Sequence, residues 1–339
     1  MQTFASAKKE LLTQAKASKI FGLIANEMSL VEAEYERQVQ SNIQVVNYLG
    51  DYLRASGGKR VRPALLILAS GACGGATAGK NVISLATVME MLHTATLVHD
   101  DIIDNADLRR NRASVNARFG NQTAVLMGDW LYMSAFETSL QERSLEILDI
   151  LTRLTRKMTE GELIQLTMIG RLDISESDYF DILKRKTAFL FSACAEIGAI
   201  LAGSTLEQQH ALRDYGMNLG IAFQLADDIL DLTSEAENLG KAAGTDLLEG
   251  KVTLPLIYLL QSEPSLRPKL EDVMLTGAYN EISRDDIREL LDVRGIIGQI
   301  RERAKEFADA ARKNLDVFTE TEYRVALEGI PNFVIDRNS

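Results

Sequence analysis

The sequence predicts an all-α protein, and three observations carry that prediction. Only five prolines occur, and residues 64–254, between Pro63 and Pro255, contain none. Proline breaks helix interiors, so a proline-free stretch of that length points to helices throughout. Apolar residues recur at spacings of three and four, as in Val82, Leu85, Val88, Met89, Leu92 and Thr96 and again in Ile182, Leu183, Thr187 and Leu190, which is the period of a helix face. No run alternates as a strand would, and no Asn-Gly or Asp-Gly pair between apolar runs marks a hairpin.

Along the chain the breaks fall where helical connections are expected. Residues 1–40 are the most separable part and read as a pair of helices packed on the outside. Ser56-Gly57-Gly58-Lys59 reads as a helix end, and Arg62-Pro63 opens the next helix with proline near its first turn. Gly71 to Gly79 is a connection of small residues, Gly170 to Ser177 is polar, and Gly240 to Gly250 is rich in glycine and charge. From Gly329 onwards the end is expected to fray. A chain of 339 residues could divide into several average domains, but none of these breaks is a long linker, so residues 41–339 are expected to form one large helical domain.

Composition removes several functions. Thirty-seven Lys and Arg stand against 48 Asp and Glu, a net charge of −11, which argues against a nucleic-acid binder with its basic footprint. A hydrophobic share of 46% is enough for a sizeable core. Cys73 and Cys194 lie in apolar surroundings without metal-ligand spacing, as reduced core residues of a cytosolic protein would. No membrane span is expected, since the best apolar run, Phe189 to Ser204, is short and interrupted by Glu196. Met1 to Lys19 has four lysines and no apolar core of a signal peptide. Together these features predict a cytoplasmic protein.

Chemistry enters with two clusters of the form DDxxD. Asp100, Asp101 and Asp104 form the first and Asp227, Asp228 and Asp231 the second, each after apolar residues and each enclosing two apolar residues. On a helix, i and i+4 share a face about 6 Å apart along the axis, so each cluster presents two carboxylates together. That suits a hard cation such as Mg²⁺, which adds water and phosphate oxygens to its shell. A solvated acidic face would account for one cluster alone, but not for a second in the same apolar setting. A structural calcium loop lacks support, because the glycine and ligand alternation of an EF-hand are missing. Four basic groups stand nearby in the sequence or between the clusters: Lys59, Arg60 and Arg62; Arg109, Arg110 and Arg112; Lys184, Arg185 and Lys186; and Lys241 with Lys251. Such cations bind phosphate oxygens directly. The only histidines are His93, His99 and His210. His93 lies two turns before Asp100 on the same face, within reach of a substrate phosphate, and His210 reads as surface. No Walker A sequence, GxGxxG or Ser-His pattern is present. Metal-assisted departure of a diphosphate needs no protein nucleophile.

The segments Gly57-Gly-Lys-Arg-Val-Arg-Pro63, His93-Thr-Ala-Thr-Leu-Val-His-Asp-Asp-Ile-Ile-Asp104, Arg109-Arg110, Lys186-Thr187, Phe223-Gln224, Asp227 to Asp231 and Gly240-Lys241 to Pro255 resemble, in order, the trans-isoprenyl diphosphate synthases. The likeness runs from about residue 40 to 260. It implies an all-helical fold around a central cavity, usually a homodimer. The implied reaction is ionisation of an allylic diphosphate such as farnesyl or geranyl diphosphate, attack by the double bond of isopentenyl diphosphate, and proton loss, with the released pyrophosphate as base. By the same resemblance Asp100 and Asp104 are ligands of two Mg²⁺ ions with Asp101 in support. Asp227 is the direct ligand of a third, with Asp228 and Asp231 acting through water. Lys59, Arg62, His93 and Arg110 match the isopentenyl diphosphate contacts. Arg109, Lys186, Thr187, Gln224, Lys241 and Lys251 match the allylic side, and Gln165 a further cavity position. Two departures stand in loops: Asn111 where the family usually has glycine, and Thr245 where asparagine often precedes Asp246.

Product length depends on a tunnel beneath Asp100. Short-chain members of the family often close it with an aromatic ring at the position of Ala95, and here Ala95 and Thr96 are small, with Leu92 and Met89 below them and Met127 or Leu131 of the next helix completing the floor. The absence of that ring resembles the long-chain members that make quinone side chains, and the expected product is of heptaprenyl to decaprenyl length. A geranylgeranyl- or farnesyl-length synthase and a catalytic subunit needing a partner chain are alternatives. A terpene cyclase is disfavoured by the second DDxxD and by Gly57-Gly-Lys-Arg. The N-terminal lysines allow at most peripheral contact with anionic lipid, and a docked surface helix is the preferred role of that segment.

Overall fold

A computed structural model describes residues 18–233 and 244–335. Sixteen helices are followed here: α1 (Ala25–Gln38), α2 (Gln44–Arg54), α3 (Val61–Ala72), α4 (Lys80–Ile103), α5 (Val115–Phe119), α6 (Asn121–Leu140), α7 (Leu145–Met168), α8 (Glu176–Leu183), α9 (Phe189–Leu201), α10 (Leu206–Thr233), α11 (Thr245–Leu248), α12 (Leu254–Ser262), α13 (Arg267–Thr276), α14 (Arg284–Val293), α15 (Ile296–Lys313) and α16 (Glu322–Ile335). The all-α prediction holds, and the connections fall at the glycine-rich breaks. Ser175 caps α8 and forms a reciprocal capping box with Asp178. Between α8 and α9 the chain makes a π-helical turn, Lys184–Ala188, a form of helix that often occurs at functional sites.

Packing places α9 between α3 and α10, with α4 against α3 and α6 and with α15 against α10. The crossings are close because small residues stand there: a Cβ on Gly216 would lie 2.4 Å from the Phe191 carbonyl oxygen, and one on Gly198 2.3 Å from that of Leu66. Two apolar clusters result. One is built from α1, α3, α4, α6, α7, α9 and the first half of α10, the other from α8, the second half of α10 and α12 to α15. Helix α1 contributes Val31 and Tyr35, both sealed within the first cluster.

Three expectations need correction. Leu108–Arg109 and Arg112–Ala113 pair as a small antiparallel hairpin. Its two-residue turn puts Arg110 at φ 53° and Asn111 at φ 60°, the left-handed backbone of a type I′ turn; strands of two residues are too short to show alternation. The run that comes nearest to a membrane span by length and composition is helix α4 and not Phe189 to Ser204, and 72% of its relevant window is buried inside the bundle, so its apolar surface is consumed by packing. The chain after Gly329 continues as helix α16 to Ile335, because Ile330 and Val334 are buried against the core.

Candidate active site

The two clusters meet at a cavity of about 1070 Å³ lined by residues of both. Helix α4 gives it one continuous face, Glu90, His93, Thr96, Leu97, Asp100 and Asp104, at helical spacing. Helix α10 gives Phe223, Gln224, Asp227, Asp228 and Asp231. The two acidic clusters, 127 positions apart in sequence (227 − 100), thus border one space. Lys59, Arg62, Arg109, Arg110, Gln165, Lys186, Thr187 and Lys251 line it as well. Lys241 lies outside the described residues. Of the chain-length candidates, Thr96 lines the cavity, whereas Ala95, Leu92 and Met89 are fully buried in the first core cluster and do not border it.

Each aspartate has its own setting. Asp100 is deeply placed, and burial, with Glu162 and Asp104 nearby, pushes its carboxyl up to about 7 against the pull of Lys186. Asp101 points to the hairpin and accepts a hydrogen bond from Arg109 Nε at 2.8 Å, with a second from the same guanidinium. Asp104 accepts from Lys251 Nζ at 2.8 Å, and that ammonium also reaches Glu249 at 2.7 Å. Burial disfavours the Lys251 charge, yet the two carboxylates hold its pKa above the usual range. Asp228 is buried and accepts from Tyr179 Oη at 2.5 Å and Gln224 Nε2 at 2.9 Å. Burial and then Asp246 push its carboxyl up to about 7, with Tyr179 and Gln224 opposing. Gln224 in turn accepts from Thr187 Oγ1 at 2.8 Å. Asp231 accepts from Thr245 Oγ1 at 3.3 Å and from the Asp246 backbone N–H at 3.4 Å, so it steadies the start of α11.

The remaining cavity cations are held differently. Arg62 Nη1 lies 3.0 Å from His93 Nε2, its guanidinium stacks over Phe191 at 5.0 Å, and its Nε is buried without a hydrogen-bond partner. Burial and the Arg62 charge lower His93 well below its ordinary pKa, so the ring is neutral and Nε2 accepts from Arg62. Arg110 donates to the Gly57 carbonyl, and Lys59 Nζ lies 5.9 Å from the Phe333 ring centroid. Lys186 pairs with Glu162 at 2.5 Å and donates to Gln165. The α7 backbone comes close to the π turn there, because Gly161 has no Cβ to meet Arg185 and Lys186. His210 is exposed and far from this chemistry.

Several participants had no sequence signal strong enough to find. Tyr179 stands in the unremarkable run Ser177-Asp-Tyr-Phe-Asp181, and Phe333 belongs to a segment without motifs. Glu162 and Glu249 sit beside Gln165 and Lys251, and only the fold shows which cation each one meets.

The donor chemistry fits a hard cation. Asp100, Asp104 and Asp227 offer carboxylate oxygens alone, with burial making the Asp100 charge costly. Among the described residues no three His, Cys, Asp or Glu side chains converge closely enough to hold a metal by themselves, so a divalent ion here needs water and phosphate oxygens to complete its shell, which is the habit of Mg²⁺.

A model of the polyprenyl synthetase family matches residues 43–292. The chain belongs to the polyprenyl synthetase family. Octaprenyl diphosphate synthase from Escherichia coli K12 is 38% identical over 94% of this chain and 98% of its own length. Geranylgeranyl diphosphate synthase from Methanosarcina mazei is 35% identical over 84% of this chain and 88% of its own. Among solved structures, a polyprenyl synthase from Caulobacter crescentus CB15, complexed with calcium and isoprenyl diphosphate, superposes with a TM-score of 0.90 at 36% identity, covering 95% of this chain and 98% of that one. As a member of this family the protein is a prenyltransferase, a trans-polyprenyl diphosphate synthase that joins isopentenyl diphosphate to an allylic diphosphate.

Proposed function

We propose that this synthase makes a long all-trans product of heptaprenyl to decaprenyl length from isopentenyl diphosphate and farnesyl or geranyl diphosphate, acting as a cytoplasmic homodimer with three Mg²⁺ ions per site. The observation that carries the reading is the cavity that both acidic clusters and a set of Lys and Arg side chains line together. Length is supported by the small side chain at Ala95 and by the near full-length likeness to an octaprenyl synthase. The 35% likeness to a geranylgeranyl synthase keeps a shorter product as the second reading.

Asp100, Asp104 and Asp227 would hold the ions, with Asp231 linked through water; bound Mg²⁺ supplies positive charge to a departing diphosphate. Lys186, Arg109 and Lys251 line the same cavity and, with Lys241 by the family resemblance, would stabilise the same leaving charge. Thr187, Gln224, Tyr179 and Asp228 form a hydrogen-bonded chain that fixes Asp228 beside Asp227. Arg62, with neutral His93 and a buried unsatisfied Nε, joins Lys59 and Arg110 in holding isopentenyl diphosphate so that its double bond faces the allylic carbon. After C–C bond formation the proton at the carbon next to the new cation passes to the released pyrophosphate, whose oxygens are left beside it by the ionisation.

Purified chain stripped with EDTA and given labelled isopentenyl diphosphate with farnesyl diphosphate should form no product until Mg²⁺ is restored. Product formation at full rate without divalent cation would overturn the reading.

A further inference from the structure

Two cavity cations stand at the entry to α3, Lys59 in the connection from α2 and Arg62 in the first turn of the helix, and Arg60, next to Lys59 in the motif, has a different setting. Arg60 sits at φ 47°, a left-handed backbone unfavourable for any residue with a Cβ, and its carbonyl accepts the first hydrogen bond of α3, from Ala64 at 3.2 Å. Its side chain is mostly buried. Nε donates to Glu32 Oε1 on α1 at 2.7 Å, and Nη1 donates to Glu90 Oε1 on α4 at 2.6 Å. Glu90 is itself buried and stands one turn before His93, on the same face of α4. The planar guanidinium is what permits this, because its donors diverge in fixed directions and reach carboxylates on two helices at once.

The other end of the connection is held separately, by Arg110 against Gly57 and Gly58. Lys59 is therefore suspended between two anchored points, and the origin of Arg62 is set by where α3 begins. A local bridge to the α1–α4 seam is more than a surface ion pair needs to be, and it holds a strained backbone at the one place from which both cations project.

We propose that Arg60 is a positioning residue for isopentenyl diphosphate: by bridging Glu32 and Glu90 it fixes the left-handed entry to α3 and so places Lys59 and Arg62 against the substrate diphosphate. The inference rests on the functional reading above, and wild-type activity in the same assay tests that reading separately.

The decisive variants remove the bridge without leaving a buried orphan charge. Arg60→Met combined with Glu90→Met replaces the pair by apolar side chains, a change that buried ion pairs commonly tolerate, and Arg60→Gly combined with Glu90→Met relaxes the backbone while losing the tether. Initial rates with each substrate varied should show the KM for isopentenyl diphosphate raised roughly tenfold or more in both, the loss expected when a charge-assisted contact is displaced. The KM for farnesyl diphosphate should stay within about twofold. Equilibrium dialysis of labelled isopentenyl diphosphate should weaken in parallel, and Arg60→Lys should fall between. If the double variants do not fold, Glu32→Gln, which keeps the Glu90 bond, gives the same readout at a smaller scale of about two- to threefold. Unchanged affinity for isopentenyl diphosphate, or equal loss for both substrates, overturns the proposal while wild-type elongation leaves the functional reading standing. Absence of elongation by the wild type overturns both.

Discussion

At the scale of single residues, charges at the cavity are held by internal pairing: Asp101 with Arg109, Asp104 with Lys251, Glu162 with Lys186. Asp100 and Asp228 pay for burial with carboxyls raised to about 7 from the ordinary 3.8. The sign of the consequence is fixed by proton linkage. Between those values the folded chain binds more protons than the unfolded one, so stability from these two groups is present at low pH and is lost as pH rises through about 7. Ions that bind the deprotonated carboxylates restore it. Thermal unfolding should therefore show a larger Mg²⁺-induced rise in Tm at pH 8 than at pH 6, and an equal rise at both would contradict this account of the site. The acidic clusters and the cations were legible in the sequence, because charged residues at i and i+4 inside apolar helices are rare. Their pairing was not: Lys251 and Asp104 are 147 positions apart, and only the packing of α10, α11 and α4 decides which carboxylate meets which cation.

Among the elements, helix α4 divides its labour by face. Glu90, His93, Thr96, Leu97, Asp100 and Asp104 look into the cavity, and Met89, Leu92 and Ala95 are buried in the bundle, where α4 packs on α6. The tunnel proposed past Ala95 would open between α4 and α6, near Met127 and Leu131, both buried in the same cluster. Ala95→Phe would fill that seam and is expected to shorten the product by several isoprene units while elongation continues; chain length unchanged on sizing of the dephosphorylated prenols would remove Ala95 from the account. The long helices were readable from periodicity and from the missing prolines. The hairpin and the π turn were not, since strands of two residues and a single wide turn leave no period. Asn111, a departure from the family's glycine, sits in that hairpin at φ 60°, where asparagine is among the few residues with a side chain that accept the left-handed backbone.

For the molecule as a whole, two apolar clusters joined by α10 leave their seam as the reaction chamber. The seam brings together groups from α4, α10, the α2–α3 connection, the hairpin, the π turn and the loop before α12, so the site is completed only when the whole bundle has formed. That explains why the sequence displays the motifs in order and says little about distance. It also explains the lack of motifs in the last quarter: α13 to α15 mainly build the second cluster, and Phe333 and Val334 of α16 are the residues of that quarter that line the cavity. The central claim, extension of an allylic diphosphate to a long chain in this chamber, is tested most directly by sizing the products that the purified chain makes from labelled isopentenyl diphosphate, farnesyl diphosphate and Mg²⁺. The account predicts a ladder ending at one prenol between heptaprenol and decaprenol; a stop at geranylgeraniol, or no elongation at all, would contradict it.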